Sequence, residues 1–497
     1  MTHGGGAPLD PAPDLGAVGA APPLVPSRRR AADPITHLTR EEREARGAAA
    51  RVLLPREALG DLGAGDSRPD PIELLVSQGT TRLPELVPLR YGRMATSPFA
   101  FYRGAALLMA SDLAAVPDSG LDVQLCGDAH MSNFGVYGTP ERRMLFDLND
   151  FDETLPGPFE WDVKRLLASV EVAARSIGVD ERARRKIITD VAKTYRTAIR
   201  DLAGMGNLEV WYARIDVDEF LREHRDDLGK AQVKRTTSTV KKARTRDHLR
   251  AVSKLTEVVD GRRRFRSDPP LVTSLEEILG DEAARIFATA MGDLMRAYQS
   301  SLEPARRHLL SEYRVTDMAR KVVGVGSVGT RAWILLLEGV DEDDLLVLQA
   351  KEAQSSVLEQ FLGASEYTQS GQRVVEGQRL MQAASDALLG WQRSTGIDGI
   401  ERDFYIRQLR DWKGSAVIEE MQPDGFRRYG GLCAWTLARA HARSGDRVAI
   451  ASYLGGSKAA DEAFADFAAG YADRTERDHS ALTAAIGSGR LEAIHGV

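Results

Sequence analysis

Residues 127–133 read Gly127-Asp128-Ala129-His130-Met131-Ser132-Asn133, and thirteen residues beyond Asn133 the chain continues Phe146-Asp147-Leu148-Asn149-Asp150. Asp128 and Asn133 are five positions apart, a spacing that puts a proton-accepting carboxylate and a metal-facing amide carbonyl on one short loop. Asp147 follows as the expected second metal ligand. Such oxygen donors suit Mg²⁺, a hard cation that keeps several waters and meets the protein through one or two carboxylates plus substrate phosphates. Asn149, Asp150, Asp152 and Glu153 form an acidic turn with two readings. Its side chains cap nearby backbone, or one of them, with Asp150 the best placed, supplies a further metal contact. His130 likewise reads as a loop-stabilising hydrogen bond or as a contact to a γ phosphate.

A kinase carries its glycine-rich loop and lysine before such a segment, yet residues 1–120 contain no G-x-G-x-x-G. The pattern comes later, as Gly324-Val325-Gly326-Ser327-Val328-Gly329, followed by the apolar run 332–337, a turn at 339–344, and Leu345-Leu346-Val347-Leu348-Gln349-Ala350-Lys351-Glu352. That order predicts strand, glycine turn, strand, acidic turn, strand, lysine. Glycines let backbone N–H groups approach phosphate oxygens, and Lys351 at a strand end places an ammonium on the α and β phosphates. Gly324, Gly326, Ser327 and Gly329 are therefore candidate nucleotide contacts. Glu359 is the expected acidic partner of Lys351, because the adjacent Glu352 faces the other side of a strand. The expected fold is α+β: a two-lobed protein-kinase-like fold, circularly permuted, with a large helical lobe and a small β-rich lobe. Permutation is tolerated because domain termini lie at the surface, often close together.

Residues 93–104, 127–133, 150–153 and 324–329 resemble the bacterial domain-of-unknown-function family 2252, and segments from about 80 to 480 fit it. That family is similar in this loop to the aminoglycoside and choline phosphotransferases, whose His-Gly-Asp-x-His-x-x-Asn corresponds to residues 126–133 here. Cys126 replaces the first His, which removes a loop-bracing imidazole and keeps the proposed base and metal ligands. The resemblance implies a fold and makes Asp162 a bracing aspartate. It supplies no acceptor.

With 497 residues, 43% of them hydrophobic, the chain can bury a large core in two or three units. It has no run of eighteen apolar residues and no charged-then-apolar leader, so a soluble cytoplasmic protein is expected, without membrane contact. Its two cysteines, Cys126 and Cys433, are too few for a disulfide framework or a cysteine zinc site, and Cys126 reads as a packing residue. The expected layout is a disordered arm over 1–35, a helical part over 36–319, a β-rich part over 320–412, and closing helices over 413–497. Within it, residues 39–42 read as a helix-opening capping box, 86–91 as strand or coil, 98–115 as a supporting helix, and 404–409 as the strand entering an adenine-binding hinge. Arg103 reads as a brace for the loop or a direct phosphate contact, and His441 as a packed histidine.

Residues 222–266 hold fifteen Lys and Arg against six acids, although the whole chain is at −6. This insertion is a solvated basic hairpin or a seat for an anionic ligand. Taken together, the motifs predict MgATP between the lobes, with Asn133, Asp147 and Asp150 on the metal and Lys351 on phosphate. Asp128, with His130 beside it, would act on the hydroxyl of a small molecule or protein. The same residue types also admit AMP transfer, a nucleotide-binding pseudokinase, or a hydrolase binding two metals through Asp128, His130, Asp147 and Asp150.

Overall fold

The structure, a computed structural model, describes residues 37–63, 65, 68–223, 237–238, 240–244, 248–322, 324–396, 398–409 and 412–496. The arm expected over 1–35 and part of the basic insertion lie outside them. The architecture is α+β. Most helices gather around one large core, whose axis is the helix Phe159–Ser176. The amphipathic helices Glu181–Ala203, Pro423–Ser444 and Ala459–Gly487 surround it. Among the described residues no helix is long and apolar enough to cross a membrane.

Five short strands carry the loops named above: β1 (Asp122–Leu125), β2 (Phe134–Gly138), β3 (Met144–Leu148), β4 (Leu155–Pro158) and β5 (Ile215–Asp216). β1 pairs antiparallel with β4, and β2 with β3. Further on, β6 (Thr256–Val259) and β7 (Arg262–Phe265) form a hairpin. A six-stranded antiparallel sheet follows, from β8 (Val272–Ser274), β9 (Arg314–Lys321), β10 (Ala332–Glu338), β11 (Leu345–Ala353), β12 (Gly390–Thr395) and β13 (Glu401–Gln408), in the order β12-β13-β11-β10-β9-β8. The apolar runs of β10 and β11 bury both faces. Leu335, Leu337, Leu346 and Leu348 pack on Tyr298, Leu302 and Leu310, while Ile334, Leu336, Leu345 and Val347 pack on Val252 and Phe265. Segments from 248 to 311 therefore belong with the sheet, earlier in the chain than the boundary expected at 320.

Two local expectations change. Residues 86–91 are not extended: Pro84–Leu86 is a 3₁₀ turn and Val87–Met94 a helix, with prolines at early positions where no intrahelical N–H is needed. The helix expected over 98–115 is two, Pro98–Arg103 and Ala106–Ala114, separated where Gly104 abuts Met94. The Thr39 capping box forms as read.

Candidate active site

Strand register brings the polar residues together. β1 ends at Leu125 opposite Leu155 of β4, so residues 126–127 leave the sheet beside 153–154. Phe134 of β2 lies opposite Leu148 of β3, and the Asn149 N–H donates to the Asn133 carbonyl at 3.0 Å, which sets Asp150 next to Asn133. The loop is braced from below. Asp162, on the Phe159–Ser176 helix, accepts from the N–H groups of Cys126 at 2.8 Å and Gly127 at 3.1 Å, and buried His441 lies 3.3 Å from its carboxylate. Gly127 has φ +81°, and a Cβ there would lie 2.2 Å from the Glu153 carbonyl oxygen. Gly127→Ala should cost roughly 1–3 kcal/mol in backbone strain alone and displace the loop. A variant as stable and active as the parent would show that this contact does not constrain residue 127.

Asp128 accepts from Arg165 Nε at 2.8 Å and pairs with the guanidinium, whose Nη2 lies 2.7 Å from the same oxygen. Arg165 in turn stacks on Tyr102, 4.0 Å from the ring centroid, and donates to the Tyr102 carbonyl at 2.7 Å. Burial pushes the Asp128 carboxyl up, against the opposing pull of Arg165 and Arg103. Asn133 donates its Nδ2 to the Asp128 carbonyl at 2.8 Å, which leaves its side-chain oxygen as an acceptor. His130 is held well below the ordinary imidazole range by burial and by Arg103 and Arg165, so it is neutral at pH 7. Its 3.6 Å approach to Asp128 is therefore not an ion pair.

The glycine segment forms the turn between β9 and β10, with Gly324 at φ +67° and Gly329 at φ +91°. Ala332, just after the turn, pairs with Lys351 of β11, and Lys351 pairs with Tyr405 of β13. Lys351 is 3% exposed, and its Nζ bonds Asp152 rather than Glu359. Asp152 also accepts from the Tyr405 hydroxyl at 2.8 Å and the Ser327 hydroxyl at 3.3 Å. Burial alone would raise Asp152, but Lys351 and Tyr405 bring it below the ordinary carboxylate range. Burial likewise opposes the Lys351 charge, and Asp150 with Asp152 outweighs it and raises the lysine.

Glu359 is the first correction. It accepts from the N–H groups of Ser356 at 2.9 Å and Ser365 at 3.2 Å and faces Arg373 at 3.7 Å, so its carboxylate is spent on its own turn. Glu352 faces away from Lys351 as strand alternation requires, and accepts from the Arg331 N–H at 3.0 Å.

Asp147 is the second. It points from β3 into the protein at 1% exposure, pairs with buried Arg439, and accepts from the Ala383 N–H at 2.9 Å. That carboxylate fastens the Pro423–Ser444 helix to the end of the helix Ser370–Met381, away from the loop residues. Asp147→Ala leaves Arg439 buried without its counter-charge and should cost about 3–5 kcal/mol of stability by chemical denaturation. A variant of parental stability would show that Asp147 is not the counter-charge that buried Arg439 needs.

Asp128, His130, Asn133, Asp150, Asp152 and Glu153 line one cleft of about 820 Å³ together with Gly324, Gly326, Ser327 and Glu359. Lys351 stands behind its wall, reached through Asp152. Burial and the neighbouring Asp152 raise the Asp150 carboxyl, which forms no direct ion pair with a cation among the described residues. Asp150 and the Asn133 oxygen are thus the pair suited to a hard cation. Among the described residues no group of three or more His, Cys, Asp or Glu is arranged to hold a metal, so Asp128, His130, Asp147 and Asp150 do not form a two-metal site.

Sequence reading missed Arg165 and Arg373, and placed Asp152 in the acidic turn without its pairing to Lys351. Arg165 clamps Asp128. Asp152 receives Lys351. Arg373, 2% exposed, donates to the carbonyls of Asp152, Thr154 and Gln354 and ties the acidic turn to the chain beyond β11. Arg103, offered as a brace, forms no ion pair among the described residues and lines the cleft.

No curated protein and no solved structure matches the chain. The sequence model of a family described as an uncharacterized protein conserved in bacteria, DUF2252, matches residues 82–485, which include every cleft residue discussed except those just before Arg82. The chain belongs to that family.

Proposed function

We propose that the protein is an ATP- and magnesium-dependent phosphotransferase of kinase-like, circularly permuted architecture acting on a hydroxyl acceptor. The observation that carries this reading is the shared cleft: residues 128, 133 and 150 and the glycine turn 324–327, nearly two hundred positions apart, line one volume of about 820 Å³. That volume is in the range of cofactor sites. The rotated order is supported by the chain path. Gly414, six residues after β13, pairs through its N–H and carbonyl with Val136 of β2 at 2.9 and 2.8 Å, an isolated antiparallel bridge onto the strands of the helical part.

The residues divide the chemistry as follows. Asn133 and Asp150 would hold magnesium, which when bound neutralises phosphate oxygens and orients them. The glycine turn offers backbone N–H donors, and Lys351 adds positive charge behind Asp152. Asp128 takes the proton of the acceptor hydroxyl as its oxygen bonds to the γ-phosphorus and the bond to ADP breaks. Arg165 orients the carboxylate throughout, so positioning and electrostatics supply most of the rate.

Calorimetric titration of ATP into the full chain, with and without magnesium, tests the reading. Saturable binding that requires magnesium is expected, and ATP labelled separately at the α and γ positions should transfer label from the γ position. No binding to the folded protein would remove the phosphotransferase reading, and transfer of the α label would replace it with AMP transfer.

A further inference from the structure

Among the described residues, other buried arginines have carboxylate partners: Arg165 with Asp128, Arg439 with Asp147, Arg196 with Asp461, and Arg474 with Asp112. Three arginines at one wall of the cleft do not. Arg90 is 0% exposed and donates only from Nη2, to the Gln78 side-chain oxygen at 2.6 Å and the Gly104 carbonyl at 2.8 Å; its Nε and Nη1 have no partner among the described residues. Arg82 donates Nη1 to the Val328 carbonyl at 2.5 Å, and its buried Nε is unpartnered. Arg103 has an unpartnered buried Nε and no ion pair among these residues. Arg82, Arg103, Gln78 and Gly104 all line the cleft. Burying a cation is costly unless it is paired; Arg82 and Arg90 are buried without an ion pair among the described residues, and half-buried Arg103 beside them presents its charge to the cleft, so this wall favours an anionic ligand.

Of the three, Arg82 sits on the glycine turn at the Val328 carbonyl, and Arg103 lies nearer the proton acceptor. The Asp128 carboxylate accepts from Arg165 Nε at 2.8 Å, Arg165 Nη2 donates to the Tyr102 carbonyl at 2.7 Å, and Arg103 is the next residue. The Arg103 carbonyl also abuts Gly326, where a Cβ would sit 3.1 Å away. Arg103 thus lies on the side of the proton acceptor, at the rim of the glycine turn. The charge of Arg103 acts on Asp128 and His130, whereas Asp150 and Asp152 feel Lys351 and Arg407.

Resting on the phosphotransferase reading, we propose that the acceptor is an anion: a hydroxyl compound bearing a phosphate or carboxylate, held by Arg103 with Arg82 and Arg90 behind it, its hydroxyl turned to Asp128. Arginine recognises both groups through paired N–H donors.

The test uses the full chain saturated with magnesium and a non-hydrolysable ATP analogue, then titrated calorimetrically with inorganic phosphate and, separately, acetate. Loaded wild type should bind at least one of them, the tighter naming the acceptor's charged group. Arg103→Ala should bind it about ten- to a hundredfold more weakly, the scale of a charge-assisted hydrogen bond, with analogue affinity held within about twofold. Because Arg103 has no carboxylate to orphan, its removal should not lower the thermal midpoint. Arg103→Lys should retain part of the anion affinity and serves if the alanine variant does not fold. The proposal is overturned if the loaded wild type binds neither anion or if Arg103→Ala binds them equally well. It is also overturned if anion and analogue affinity fall together, which makes Arg103 a nucleotide contact. A wild type that fails the first titration, with the analogue, fails the phosphotransferase reading itself.

Discussion

Asp128→Asn is expected to lower turnover by about 10²- to 10⁴-fold, the usual contribution of a positioned proton acceptor, while MgATP affinity stays within about twofold of wild type. The separation follows from position: Asp128 accepts from Arg165 and touches neither the glycine turn nor Lys351, so its loss leaves the residues proposed for the nucleotide in place. ADP release, measured with a hydroxyl acceptor or with water in its place, and calorimetry on the same preparations check both halves. Equal losses in both would make Asp128 a binding or structural residue, and undiminished turnover would assign the proton to another group. The pH dependence carries the same signature. Only the ionised carboxylate accepts a proton, and burial holds this one above the ordinary range despite Arg165. The acid limb of turnover should therefore lie at higher pH than for an exposed aspartate, and Arg165→Gln, which removes the group lowering Asp128, should move it higher still.

The Gly127–Asn133 loop and the glycine turn stand out in the sequence by residue type and spacing, and the structure brings Asp128, His130 and Asn133 onto one cleft with residues 324–327. Asp147 was misread for a related reason. In the sequence Asp147, Asp150 and Asp152 are equivalent carboxylates on one short stretch, and strand alternation sends Asp147 inward to Arg439, a partner 292 positions away. The partner of Lys351 was misplaced by the same kind of blindness. Glu359 is close in sequence, but Asp152, 199 positions away, is close in space, and nothing local in either segment reports the pairing. Arg82 and Arg90 look like ordinary helix and loop arginines; only burial without an ion pair, a tertiary property, distinguishes them. The helix at Val87–Met94 shows the remaining limit, since a proline within a short apolar run is compatible with a helix's first turn as well as with coil.

Lys351→Ala is expected to weaken MgATP binding by tenfold or more, about 1.4 kcal/mol or above, and to destabilise the fold as well. The variant leaves half-buried Asp150 and Asp152 beside each other with Lys351 gone, so a phosphate in the cleft would meet uncompensated negative charge in place of a balanced pair. Stability and binding can be separated by neutralising the partner too. Lys351→Met with Asp152→Asn removes both charges and should recover most of the stability, since deleting a whole buried pair costs far less than deleting half of one. Binding should stay weak, because the positive charge is still absent. Linkage gives the pH course. Asp152 is lowered in the folded state, so its share of stability is present above its unfolded pKa and is lost as pH falls through the lower folded value. Lys351 is raised, so its share is present below its unfolded pKa and is lost as pH rises through the higher folded value. The wild type's advantage over the double variant should therefore be flat from about pH 5 to pH 9, between the ordinary carboxylate and ammonium ranges, and shrink in acid. If the double variant recovered nucleotide affinity along with stability, the lysine would act only as the counter-ion of Asp152, and the phosphate-side role assigned to it would be withdrawn.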